Sequence, residues 1–105
     1  MPAVIVETYI ERGGKLIFPH DPNEITDYPF DWSQWLARSG NDTITDAVAV
    51  LEAPLELDHI GFDTEHATIW VKGGLAGTLL RVTCRITTAG GRVQDRSIFL
   101  QVKER

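Results

Sequence analysis

Two histidines and two carboxylates near the middle of the chain are the best candidates for metal chemistry. The group comprises His59, Asp63, Glu65 and His66, and imidazole and carboxylate groups can share one ion. Their spacing suits neither a pair of ligands on a helix nor a known zinc motif. We interpret them as solvated side chains of a loop between strands, and we predict no metal and no other cofactor.

Three other features could carry chemistry, but each has a simpler structural interpretation. His20 and Asp21 are adjacent in a proline-rich link, without a third catalytic partner in the sequence. The glycine-rich segment 73–78 lacks the lysine of a phosphate-binding loop and precedes a predicted strand, which favours a tight turn. Cys84 shares the apolar parity of its predicted strand and behaves there as a small hydrophobic residue. The sequence therefore predicts no enzyme.

The elements that position these residues are strands, and the clearest lie near the end of the chain. Apolar residues alternate with polar ones over 80–87, and Ile98, Leu100 and Val102 again occupy alternate positions, which is the pattern of a strand buried on one face. Gly90 and Gly91 supply a turn between them. Together these two segments predict a hairpin.

Earlier segments show the same short spacing of strands and turns. We predict an arm or hairpin over residues 1–20, an extended segment ending in a turn at Asp31, and strands over 43–51, 55–60 and 67–72. No segment has a convincing helical period, so the sequence indicates an all-β sandwich. Prolines at positions 19 and 22 mark the internal boundary, which separates the arm (1–20) from the domain (21–105).

Composition limits the chain to one domain and argues against nucleic acid as a partner. The 105 residues carry a net charge of -5 and one cysteine, which leaves no disulfide framework and little affinity for phosphate chains. No apolar segment approaches the length of a membrane span.

Thirteen of the 15 acidic residues lie in residues 1–66, and seven of the ten basic residues follow. If folding preserves this asymmetry, it favours head-to-tail contacts between copies; interleaved strands would cancel it.

The aromatic residues divide into candidate core and candidate interface. Trp70 and one or both of Trp32 and Trp35 are predicted to fill the core, since a small sandwich depends on a few large side chains. Phe99 has the opposite parity from its apolar neighbours, which places it on the outer face. It is either an interface anchor or a residue covered by the N-terminal arm.

Taken together, the motifs of residues 21–105 resemble those of tailed-bacteriophage fibre-tail adaptor proteins, which are small immunoglobulin-like structural domains. Residues 1–20 depart from the family pattern. The matching residues, in chain order, are Asp21-Pro22, Asp27-Tyr28, Phe30-Asp31-Trp32-Ser33, Trp35-Leu36, Thr43-Ile44, Ile69-Trp70-Val71, Gly73-Gly74, Ala76-Gly77-Thr78, Ile86-Thr87-Thr88-Ala89-Gly90-Gly91-Arg92 and Asp95-Arg96.

The resemblance implies an immunoglobulin-like β-sandwich that acts as a non-enzymatic virion protein in the tail or neck. Such a protein is made in the cytoplasm of the bacterial host, forms homo-oligomers in the virion and binds tail or fibre proteins, but neither nucleic acid nor membrane. Capsid decoration and head-tail connection are alternatives, as is a carbohydrate-binding module with an exposed Trp32 or Trp35 as its platform. The predicted contact residues are the arm residues Val4, Val6 and Ile10, a basic face of Arg81, Arg85, Arg92 and Arg96, and Phe99.

Overall fold

Eight strands and one short helix make up the fold, in a computed structural model that describes residues 10–104. The elements are β1 (Ile10–Arg12), β2 (Lys15–His20), β3 (Thr26–Asp31), α1 (Ser33–Arg38), β4 (Ile44–Leu51), β5 (Leu55–Phe62), β6 (His66–Gly73), β7 (Leu79–Thr88) and β8 (Val93–Val102). The predicted all-β class is confirmed.

The strands form two sheets that pack face to face. One sheet has five strands in the order β1-β2-β8-β7-β4, and the other has three in the order β3-β6-β5. The strands β3, β6 and β5 occupy the places of B, E and D in an immunoglobulin domain, and β8, β7 and β4 those of G, F and C. β2 runs parallel to β8, whereas the other pairs are antiparallel. The architecture is that of an immunoglobulin-like sandwich.

The core lies between the sheets, where the strand alternation places apolar side chains. Along β7 buried and exposed positions alternate, with Leu80, Val82, Cys84 and Ile86 facing inwards. Burial of this apolar surface is the main force that holds the two sheets together. The other fully or nearly buried apolar residues are Tyr28, Phe30, Trp32, Leu36, Ile44, Ala47, Leu55, Ala67, Ile69, Val71, Ile98, Leu100 and Val102.

Two connections depend on glycine. Gly13 and Gly14 both have positive φ, 60° and 81°, in the two-residue turn between β1 and β2, a turn that requires positive φ at both positions. Gly74 has φ 105°, and a Cβ there would lie 3.2 Å from side chains of Leu55 and Val102. The predicted turn at segment 73–78 is therefore a tightly packed connection between β6 and β7.

One polar group ties the N-terminal hairpin to both sheets. The fully buried ring of His20 places Nδ1 2.7 Å from the Tyr28 hydroxyl oxygen of β3. Its Nε2 lies 3.1 Å from the Gly73 carbonyl oxygen of β6, to which it donates. The Lys103 amide donates to the His20 carbonyl at 2.9 Å. Buried polar groups of this kind are costly unless bonded, so these contacts fix the end of β2.

Candidate protein-interaction surfaces

An aromatic residue flanked by cations lies on the outer face of the five-stranded sheet. Phe99 is half-buried there, in register with Ile17 of β2 and Arg81 of β7. The Lys15 ammonium lies 4.9 Å from the centre of the Phe99 ring, within cation–π range. Arg81 is exposed, and within residues 10–104 neither cation forms an ion pair. We refer to Lys15, Ile17, Arg81 and Phe99 as the Phe99 face.

Two of the predicted interface arginines are held by carboxylates of the same chain. Arg85 forms a forked pair with Asp95, with nitrogen–oxygen distances of 2.8 and 3.0 Å. This pair raises the pKa of Arg85 and lowers that of Asp95. Arg92 lies in the turn between β7 and β8, where its Nη1 donates to Asp42 at 2.9 Å. These two guanidinium groups are partly neutralised before any partner binds.

The fourth arginine lies on the other side of the sheet. Arg96 is in register with the buried Cys84, so it projects towards the three-stranded sheet. Its guanidinium carbon lies 4.1 Å from the Trp32 ring, and its Nη1 donates to the Asp31 carbonyl at 2.7 Å. The structure therefore does not bring the four arginines together on one basic face: only Arg81 and Arg85 share the outer face.

Asp42, which the sequence did not single out, organises the turn beneath Arg92. Its Oδ1 accepts the amides of Thr43 and Gly90, each at 2.9 Å. The Asp42 side chain is only 6% exposed. Hydrogen bonds, first of all from Thr88, lower the pKa of Asp42 from 3.8 to about 2. The carboxylate therefore holds the start of β4 against the β7–β8 turn.

We predict that Asp42→Asn reduces stability at neutral pH but not in strong acid. Because the folded-state pKa is lowered, the carboxylate stabilises the fold above about pH 4, and that contribution is lost as the pH falls towards 2. The difference in unfolding free energy between the two proteins should therefore shrink across this window, as urea unfolding measured at several pH values would show. Asp46→Asn is the control, since Asp46 is exposed and forms no ion pair within the described residues. A pH-independent loss for Asp42→Asn would contradict this role.

The outer face of the three-stranded sheet carries a second aromatic centre. Trp70 is half-buried there and stacks on His59 of β5, with ring centres 5.1 Å apart and an interplanar angle of 16°. Asp27 of β3 is in register with Trp70, and Glu56 is exposed nearby on β5. We refer to Asp27, Glu56, His59 and Trp70 as the Trp70 face. The predicted core role of Trp70 is wrong, because the strand parity places it outside.

Of the two remaining tryptophans, Trp32 is buried and Trp35 is half-buried. Trp32 is fully buried, and its ring lies edge-on to the half-buried Trp35 at 5.7 Å. The prediction that one or both of these residues fill the core is confirmed. The proposed exposed platform at Trp32 is therefore wrong, because no face of this ring is open to a sugar.

The candidate metal residues are divided between two places. His59 lies beside Asp58, with Nδ1 and Oδ2 2.6 Å apart. Asp63 accepts the backbone amides of Glu65 and His66 in the β5–β6 turn, which lowers the pKa of its carboxyl. Within residues 10–104, no group of three histidine, cysteine, aspartate or glutamate side chains is arranged to hold a metal ion.

The other chemical candidates occupy structural positions. Cys84 is fully buried, and burial raises the pKa of its thiol to about 11, so its predicted place in the core is confirmed. Across the described part of the chain, no helix is long and apolar enough to cross a membrane.

Of the predicted arm over residues 1–20, the structure describes residues 10–20. Val4 and Val6 lie outside the described residues, and Ile10 is the first residue of β1, where it pairs with Ile17. β2 continues from this hairpin into the five-stranded sheet beside β8. The hairpin therefore lies at a sheet edge, from which the chain leads back to Val6 and Val4.

Comparison with known proteins decides the family. A family model described as "Podophage GP4 fiber-tail adaptor protein gp77" matches residues 20–101. The chain belongs to this family. The match to the podophage fibre-tail adaptors begins at His20 and extends through both sheets to Gln101 in β8, leaving out most of the β1–β2 hairpin. No curated protein matches the chain. Membership in this adaptor family confirms the resemblance found in the sequence.

Proposed function

We propose that this protein joins the tail of a phage particle to its receptor-binding fibre through repeated protein–protein contacts. The observation that carries the proposal is the family match, because it spans the sandwich whose surfaces would make the contacts. An adaptor works by binding two partners, and its repetition in a symmetric particle raises the effective concentration of each weak contact.

The exposed surfaces support this role better than an enzymatic one. The Phe99 face and the Trp70 face lie on opposite sides of the sandwich, and each presents an aromatic residue beside charged groups. Aromatic residues and arginine are enriched at protein interfaces, and charged groups such as lysine and carboxylates suit the polar rim around them. Of the residues considered for chemistry, Cys84 is buried, and the candidate metal ligand Asp63 accepts backbone amides in a turn.

We propose that the N-terminal arm makes a further contact by adding a strand to a neighbouring protein. Val4, Val6, Thr8 and Ile10 occupy alternate positions in the sequence, a spacing suited to pairing with an exposed sheet edge. β4 is such an edge in this fold. Its outward Val48 and Val50 are each nearly half exposed, at 46% and 47%.

Truncation tests the arm. Removal of residues 1–9 is expected to leave the thermal unfolding midpoint unchanged, because every contact described above is retained, but to prevent incorporation into particles. Removal of residues 1–20 should destabilise the chain as well, since it deletes β2 and the buried His20. Circular dichroism measures the unfolding, and immunoblots of purified particles measure incorporation. Unfolding of the shorter truncation would show that residues 1–9 belong to the domain core and contradict the arm.

Location in the particle tests the proposed adaptor role. Immunogold electron microscopy of purified particles, with an antibody raised against this chain, should place gold on the tail at the base of the fibres. Gold spread over the capsid would identify a decoration protein, and gold confined to the head-tail junction would identify a connector. Either of these patterns, or an absence of label from particles, would overturn the proposal.

We infer that the protein is made in the cytoplasm of the host, because virion proteins assemble there.

A further inference from the structure

We propose that copies of this protein associate head to tail, with the Phe99 face of one copy against the Trp70 face of the next. The inference rests on the proposed role as a repeated adaptor and names the contact between neighbouring copies. Its test uses the purified chain, so its failure would leave the location in the particle untouched.

The charges of the two faces are opposite. Around Phe99 lie Lys15 and Arg81, neither of which forms an ion pair with any residue in the described range 10–104. Around Trp70 lie the exposed carboxylates of Asp27 and Glu56. Complementary potentials of this kind favour one mode of contact and disfavour contact between like faces.

On each face, an aromatic ring lies on the middle one of three neighbouring strands. On the five-stranded sheet, Phe99 of β8 lies between Ile17 and Arg81 on the flanking strands. On the three-stranded sheet, Trp70 of β6 lies between Asp27 and His59. A half-buried ring beside charged groups resembles the anchor and rim of an interface.

The neighbouring charges do not cancel this difference. On the five-stranded sheet, Arg85 and Asp95 neutralise each other across adjacent strands. On the three-stranded sheet, the Lys72 ammonium lies 3.9 Å from the Asp58 carboxylate, so these two charges neutralise each other. The Glu52 carboxylate accepts the backbone amide of Arg81 at 2.8 Å and offsets one positive charge beside Arg81. After these groups are set aside, one positive charge remains around Phe99, and the carboxylates of Asp27 and Glu56 remain around Trp70. The two faces therefore carry opposite surplus charges.

The geometry of the sandwich makes such a contact heterologous. Because the faces belong to opposite sheets, a copy bound through its Phe99 face still presents its Trp70 face to another copy. A heterologous contact of this type closes into a ring or extends as a stack. A second copy of this chain is thus the occupant that the charges favour.

Charge reversal provides the test. Sedimentation velocity at low ionic strength should show self-association of the wild-type chain that weakens as salt is added, because salt screens exposed charges. Arg81→Glu and Asp27→Lys should each weaken the association by about tenfold. Arg38→Glu and Glu65→Lys, which reverse exposed charges outside the two faces, are the matched controls and should leave it unchanged.

Mixing the two reversed variants makes the test specific. The Arg81→Glu variant retains its acidic face and the Asp27→Lys variant retains its basic face, so one contact in a mixture is that of the wild type. The other contact joins the two substituted faces, which keep Lys15 and Glu56 and are therefore close to neutral, so the wild-type contact is the one that drives pairing of the two variants. Association should therefore return in the mixture. A wild-type chain that stays monomeric at low salt, controls that weaken association equally, or a mixture without recovery would each overturn the proposal.

Discussion

Replacement of Trp32 by alanine is expected to lower the free energy of unfolding by about 3–5 kcal/mol, a large part of the stability of a domain of this size. The Trp32 side chain is fully buried between the sheets. It packs edge-on against Trp35 on one side, and the Arg96 guanidinium covers its ring on another. Removal of the indole would leave a cavity that these rigid strands cannot close. Urea unfolding followed by circular dichroism measures the loss.

Trp70 provides the matched control for this substitution. It is the same residue type in the same domain, but it lies on the outer face against His59. Trp70→Ala should therefore cost much less stability than Trp32→Ala, because its cavity opens to solvent. Equal losses for the two variants would contradict the placement of Trp32 at the centre of the core and of Trp70 outside it.

His20→Ala is expected to cost about 2–4 kcal/mol, through loss of a buried polar link as well as of volume. The ring of His20 bonds the Gly73 carbonyl at the end of β6 and meets the hydroxyl of Tyr28. Without the ring, the partly buried Gly73 carbonyl loses its side-chain donor, and β2 loses one of its links to the three-stranded sheet, while the bond from the Tyr28 hydroxyl to the Pro19 carbonyl remains. Thermal or urea unfolding measures the effect.

His59→Ala is the control for His20, since His59 is exposed on the Trp70 face. The expected change in its unfolding free energy is within about 0.5 kcal/mol, as for most surface substitutions. If His20→Ala were as mild as His59→Ala, the buried polar link would not stabilise the fold and the attachment of β2 would have another cause.

Local sequence patterns were sufficient to predict most strands and the class of the fold. The alternation over 80–87 and 98–102 corresponds to β7 and β8, and the paired glycines before Lys15 correspond to a two-residue hairpin turn. These predictions succeed because the period of a strand and the φ values of a turn are local properties. The identity of partner strands is not local, so the parallel pairing of β2 with β8 could not be predicted.

The errors at the surface have particular physical causes. The size of Trp70 suggested a core position, but its place in the alternation of β6 puts the side chain on the outer face. Stacking on His59 covers part of the ring there. Arg96 was grouped with Arg81 before the register was known, and the register places it over Trp32. Asp42 gave no signal because its partners, in the turn before β8, lie more than 40 residues away.

The chemistry of the residues alone would have led only to an all-β domain and not to its family. The family came from the combination of motifs between Asp21 and Arg96, and the match over residues 20–101 confirmed it. Burial and internal ion pairs decide which surfaces are available for contacts. Trp32 is buried, and Arg85 and Arg92 are paired with carboxylates, whereas the Phe99 face and the Trp70 face are open to a partner.

The most direct measurement of the adaptor role is electron cryomicroscopy of particles made by a phage with a nonsense mutation in the gene for this chain. We expect complete heads and tails that lack fibres, with fibres restored when the wild-type chain is supplied in the host. Particles that retain the wild-type number of fibres would contradict it. So would particles whose defect lies in the capsid while the fibres remain attached.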